Sequence, residues 1–143
     1  MSKADVAVEL FAQGYNCAQA VLAAYGPDCG LPAELGLKVG GPFGGGMARC
    51  GETCGAVTGA MCVLGLRFSS AEVDAEAKAC TQVETRRFFE AFNARNGSIV
   101  CRDLLGIDMS TEEGWAEVQR RDTHHTVCPK FVRDACEILD EML

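Results

Sequence analysis

Gly55 to Leu66 is a run of twelve residues without a single charge, and it dictates what the rest of the chain must do. Ala56, Val57, Ala60, Met61, Val63 and Leu64 cover nearly every face and never settle into the strict alternation of a strand. From about Glu52 to Leu66 the pattern therefore predicts a central helix buried on most sides. Gly55, Ala56, Gly59 and Ala60 keep its surface low, so that neighbouring backbones can approach closely. Twelve residues fall well short of the roughly 20 needed to cross a bilayer, so this segment reads as protein core.

A helix buried all round needs partners, and the flanking sequence supplies them. Ala4 to Gln13 carries Val6 and Leu10 and stops at Gly14; Asn16 reads as the N-cap of a second helix, Cys17 to Tyr25. Pro27 to Gly30 is a turn, and Pro32 opens a short helix through about Val39. Ser69 with Glu72 matches a capping box for a long helix reaching Asn96, with Val73, Ala77, Cys80, Phe88 and Phe92 on one face and Gly97 as its stop. Ser98 is the expected cap of a short helix with Cys101 in its first turn, ending at Gly106. Ser110 with Glu113 forms another capping box, for a helix bearing Trp115 and Val118. Cys128-Pro129 opens the last helix, with Val132, Cys136, Leu139 and Leu143 on the face below Cys128.

The fold class that follows is all-α: one domain over residues 1–143, a compact bundle of about six or seven helices with a glycine-rich loop. That loop, Gly40 to Gly46, has no regular structure and is the most flexible sequence in the chain. It follows a helix and lacks the Gly-Lys-Ser/Thr ending of a phosphate-binding loop, so it reads as a structural turn or close-packing loop.

Charge narrows the partners. Thirteen Lys plus Arg stand against twenty Asp plus Glu, a net −7, which repels nucleic-acid backbones and anionic lipid; neither nucleic acid nor a membrane span is expected. Asp5 and Glu9 interrupt the apolar core that a secretory leader needs, so the expected compartment is the cytoplasm, where thiols stay reduced.

The thiols carry the chemistry. There are nine cysteines, an odd number that cannot pair completely within one chain. Cys17, Cys54, Cys101 and Cys128 each fall within about a turn of a predicted helix start, where unpaired N–H groups and the helix dipole favour a thiolate. Cys29 sits in an early turn, while Cys62, Cys80 and Cys136 lie within helices on apolar faces and read as small buried hydrophobes. Cys50 precedes Cys54 by four residues; if the central helix reaches back that far, the two thiols share a face. No Cys-x-x-Cys knuckle is present, so zinc-ribbon and ferredoxin spacings are absent. His124 and His125, just before Cys128, are either a nitrogen ligand and proton carrier or solvated surface. Arg49 and Arg102, beside Cys50 and Cys101, are candidates to stabilise negative sulfur, and Trp115 is expected as a core anchor.

Asn16-Cys17-Ala18-Gln19-Ala20-Val21-Leu22, the run Gly44 to Ala60 around Cys54-Gly-Ala-Val-Thr-Gly59, Cys101-Arg-Asp-Leu-Leu-Gly106 and the late Cys128 together resemble the C-GCAxxG-C-C family of redox-active proteins. The resemblance runs from about residue 9 to the C-terminus. It implies redox activity and a characteristic set of four cysteines, here Cys17, Cys54, Cys101 and Cys128. A related module in a multi-domain cytochrome carries an iron–sulfur cluster, which makes these four the expected cluster ligands.

Three readings follow. In the first, the four cysteines hold an iron–sulfur cluster and the protein passes electrons to a redox partner protein, with a homodimer as one candidate assembly. In the second, Cys54 attacks a disulfide or peroxide and Cys50 or Cys17 resolves the intermediate, with no cofactor. In the third, the same four sulfurs form a structural zinc site.

Overall fold

The uncharged run forms the central helix. A computed structural model describes residues 1–143. In chain order its helices are α1 (Lys3–Ala12), α2 (Cys17–Tyr25), α3 (Ala33–Val39), α4 (Gly55–Phe68), α5 (Ala75–Asn96), α6 (Cys101–Leu105), α7 (Glu112–Arg121), α8 (Thr123–Thr126) and α9 (Cys128–Met142). The class is all-α, as expected. Nine α-helices stand where about six or seven were anticipated; the short α8 is the one with no counterpart among the segments read from the sequence.

Helix α4 packs most extensively against α2. The small residues make this possible: a Cβ added at Gly59 would lie 2.9 Å from the Ala18 carbonyl oxygen and 3.1 Å from the Val21 Cβ. One core of 26 buried residues then draws on every helix except α3 and α8. Tyr25 at the end of α2 ties this layer to α9, its hydroxyl 2.9 Å from the Cys136 carbonyl oxygen and 2.7 Å from the Asp140 carboxylate. Along α9, Phe131, Val132, Ala135, Cys136, Ile138 and Leu139 are buried at helical spacing, which includes the expected Val132, Cys136 and Leu139; Leu143, expected on the same face, lies past the helix end and is exposed.

The caps decide the boundaries, and several differ from expectation. Helix α5 starts at Ala75, not after Ser69: the Asp74 carboxylate accepts the Glu76 and Ala77 N–H groups, while Ser69 ends α4 and the Ser70 hydroxyl accepts the Glu72 N–H. A carboxylate that takes two orphan donors is the stronger cap. Only Phe88 and Phe92 of α5 are buried, so Val73 and Cys80, expected on its inner face, are exposed. Thr111 rather than Ser110 caps α7, because the Ser110 hydroxyl is spent on Asp108. The Ser98 hydroxyl accepts the N–H of Val100, and Val100 rather than Ser98 is the N-cap of α6. The central helix begins at Gly55 with Cys54 as its N-cap, three residues later than expected.

There is no strand. A single antiparallel bridge pairs Thr53 with Val100, and around it the Cys54 N–H donates to the Ile99 carbonyl (2.8 Å) and the Cys101 N–H to the Glu52 carbonyl (2.6 Å). This short clasp sets the start of α4 beside the start of α6. No helix is long and apolar enough to cross a membrane.

Candidate functional site

Each of the four cysteines stands where a helix begins. Cys17 is the first residue of α2, below a reciprocal cap in which Asn16 and Gln19 exchange backbone-to-side-chain hydrogen bonds of 2.8 Å. Cys54 is the N-cap of α4, Cys101 the first residue of α6 and Cys128 the first of α9. The Thr53–Val100 clasp joins the second and third of these. The amide nitrogen of Asn16 donates to the carbonyls of Gly40 and Gly41, and that of Gln19 to Leu37, which draws the glycine-rich loop over the first.

That loop presses directly on the site. A Cβ at Gly44 would meet the Asn16 side chain at 2.8 Å, one at Gly46 the Cys101 Cβ at 2.7 Å, and one at Gly55 the Cys17 Cβ at 3.1 Å. The close-packing reading of the loop holds. Its ending is unusual: Gly45, Gly46, Met47, Ala48 and Arg49 all have positive φ, between 50° and 68°. Left-handed backbone costs a residue with a side chain roughly 1–2 kcal/mol, and three consecutive residues here bear one. Hydrogen bonds from Arg49 N to Gly44 O, Gly51 N to Gly45 O and Glu52 N to Gly46 O hold the turn in place.

Cys17, Cys54, Cys101 and Cys128 all line one cavity of about 710 Å³. Its other walls include Phe11, Leu104, Met109, Trp115 and Phe131. Neighbouring cysteine sulfurs raise the proton affinity of Cys17, Cys54 and Cys101, as nearby negative charges would. Burial pushes Cys54 up to about 11, overriding the Ala56 and Val57 N–H groups that favour its thiolate, and pushes Cys101 up to about 12. Cys17 and Cys128 interact sulfur to sulfur. Cys17 keeps its proton and is raised, while Cys128 is lowered, first by Cys17 and then by the Thr123 hydroxyl. A helix start alone therefore does not make a thiolate here; the contact with Cys128 leads at Cys17, desolvation leads at Cys54 and Cys101, and the acidic thiol is Cys128.

The remaining cysteines lie apart. Cys50 is exposed on the turn before α4 and does not line the cavity, because the helix does not reach back to it. Cys136 is fully buried, Cys29 and Cys62 are half-buried, and Cys80 is exposed. The two histidines divide. His124 lines the cavity, stacked on Phe11 with ring centroids 3.9 Å apart and its Nε2 3.2 Å from the Phe11 carbonyl oxygen; His125 is exposed beside Asp122. Arg102 pairs with Glu52 and bonds the Cys50 carbonyl, and its charge slightly favours the Cys101 thiolate. Arg49 instead lies over the Trp115 ring, 4.0 Å from its centroid, so Trp115 is a wall of the site as much as an anchor of the core.

No three His, Cys, Asp or Glu side chains are placed to hold one metal ion. Four thiols around a shared cavity suit, by donor type and number, a centre whose irons each take their own sulfur ligands.

The family described as "Putative redox-active protein (C_GCAxxG_C_C)" matches residues 15–142. The chain belongs to this family. No curated protein and no solved structure matches it. In this C_GCAxxG_C_C protein the central motif reads Cys54-Gly55-Ala56-Val57-Thr58-Gly59, and its two glycines are the ones that let α4 close on Cys17 and Ala18. Sequence reasoning missed Thr123, whose side chain faces Cys128, and the cavity walls Phe11, Leu104, Met109 and Phe131. Thr123 lies five residues before Cys128, and only the short α8 brings the two together.

Proposed function

We propose that this member of the redox-active family is an electron-transfer protein in which Cys17, Cys54, Cys101 and Cys128 hold an iron–sulfur cluster. One observation carries the reading: four thiols from four separate helix starts line a single cavity. Bare thiolates there would be desolvated and mutually repelling, and Cys54 and Cys101 hold their protons chiefly for the first reason, Cys17 chiefly through its contact with Cys128; bound iron would supply the positive charge that offsets both penalties. The cluster would supply one-electron chemistry. The protein's part is to fix the sulfurs, exclude water with Phe11, Leu104 and Phe131, and offer the Ala56 and Val57 N–H groups to the Cys54 sulfur, features that tune a cluster's potential.

Anoxic purification followed by iron and acid-labile sulfide analysis tests this. Stoichiometric iron and sulfide with visible absorption, lost together in Cys54→Ser, is the expected result; a colourless, iron-free protein after reconstitution overturns it.

The contact between Cys17 and Cys128 favours a second reading, a dithiol that gives up two electrons and two protons to a partner disulfide and becomes a disulfide itself. Mass spectrometry of oxidised, metal-free protein would then find Cys17 joined to Cys128. The pairing of Cys54 with Cys50 gains no such support from the geometry, since Cys50 lies outside the cavity.

A further inference from the structure

We propose that the cavity beside the four thiols binds a small organic anion with a flat apolar body, its negative group held by Arg49 at the Trp115 wall. The inference builds on the redox reading by placing an organic molecule against the thiols, though the binding itself needs no cluster.

About 710 Å³ lies within the roughly 300–1,000 Å³ of small-molecule sites, and Phe11, Leu104, Met109 and Phe131 supply apolar walls. Against these walls stands one full cation. Arg49 is exposed, joins none of the protein's ion pairs or side-chain hydrogen bonds and lies over the Trp115 ring at 4.0 Å, so its N–H groups are free to grip a carboxylate, sulfonate or phosphate. The one carboxylate on the wall, Asp122, is engaged by His125. His124, with its Nε2 at the Phe11 carbonyl, presents a ring face already stacked on Phe11.

Arg49 is also held in place by the backbone. It ends the five-residue turn of positive φ, and its own N–H is bonded to Gly44 O at 3.0 Å. Backbone conformations that side chains disfavour persist where surrounding structure fixes them, and they gather at ligand sites. In a chain of net charge −7, a lone unpaired cation on an aromatic wall beside an apolar cavity selects anions by contrast with its surroundings.

The probe is 8-anilinonaphthalene-1-sulfonate, an aromatic sulfonate, titrated into the reduced, metal-free full chain. Trp115 is the only tryptophan, so its quenching by energy transfer reports binding from a single donor, and the Arg49 variants place that binding at this wall. We expect saturable one-site quenching, weakened about tenfold or more by Arg49→Gln and less by Arg49→Lys. The neutral analogue N-phenyl-1-naphthylamine should bind wild type and Arg49→Gln alike. Arg49 is exposed, so the variant should keep its helical circular dichroism. Sulfonate affinity unchanged in Arg49→Gln, or no saturable quenching in wild type, overturns the proposal. Iron and sulfide measured on the same preparations keep the two readings separate: protein that binds the sulfonate through Arg49 yet takes up no iron fails the cluster reading alone, and protein that takes up iron yet ignores the sulfonate fails only this one.

Discussion

Cys17 and Cys128, the first residues of α2 and α9, interact sulfur to sulfur, and Cys17 keeps the proton. The asymmetry makes Cys128 the most reactive thiol of the four at the cavity, helped also by Thr123. Brief iodoacetamide treatment of reduced, metal-free protein near neutral pH, followed by peptide mass mapping, should label Cys128 about tenfold faster than Cys54 or Cys101. Thr123→Val, which deletes the hydroxyl while nearly keeping the shape, should slow Cys128 a few-fold. Preferential labelling of Cys54 would contradict this ordering.

The buried thiols also make stability depend on alkaline pH. Burial raises Cys136 to about 12 and Cys54 to about 11, both from an ordinary 9.0. The folded state thus holds these protons more tightly than the unfolded chain. Their contribution is intact below pH 9 and is lost as pH climbs from there toward 11 and 12, because the unfolded chain deprotonates first. Urea unfolding of metal-free protein at a series of pH values should show stability falling above pH 9, each such thiol adding about 1.4 kcal/mol per pH unit to the slope. Cys136→Ala should flatten that slope by one thiol's share, while costing about 1 kcal/mol at neutral pH for the methylene-sized void. An unchanged slope would mean that Cys136 titrates normally.

What the sequence revealed, and what it hid, divides by range. The Asn16 cap, the Pro129 start of α9 and the all-round apolar face of α4 are local patterns, and each reads directly from neighbouring residues. The start of α4 is not local. It is fixed by Cys54 N–H to Ile99 and Cys101 N–H to Glu52, bonds between segments far apart in sequence, so the condition under which Cys50 and Cys54 would share a helix face is not met. The positive φ values of Met47, Ala48 and Arg49 were equally hidden, since sequence rules assign such backbone to glycine. The four cysteines were legible as a set; their differing proton affinities, governed by depth and by one another, were not.

Two glycines of α4 should respond to alanine in opposite directions. At Gly59 a Cβ would meet the Ala18 carbonyl oxygen at 2.9 Å, backbone that cannot yield, so Gly59→Ala should cost about 1–3 kcal/mol by pushing α2 from α4. At Gly65 nothing lies within 4 Å, and the same change within the helix should gain about 0.5–1 kcal/mol. Chemical denaturation of both variants checks the pair. Similar effects at the two sites would refute the close α2–α4 packing.

The left-handed turn should itself store energy that can be released without changing any thiol or charged group of the cavity that Ala48 helps to line. Ala48 is exposed at φ 50°, so its methyl group adds strain and little burial. Glycine tolerates that φ but also loosens the unfolded chain by about 0.4–1 kcal/mol. Set against roughly 1–2 kcal/mol of relieved strain, Ala48→Gly should stabilise by about 0.5–1 kcal/mol, or a few degrees in melting temperature. Gly46→Ala is the counterpart: at φ 68°, with Cys101 Cβ and Glu52 N both 2.7 Å from an added Cβ, it should destabilise strongly and displace Cys101. If Ala48→Gly lowers the melting temperature, the turn is not left-handed at that residue, and the placement of Arg49 over Trp115 that depends on it falls as well.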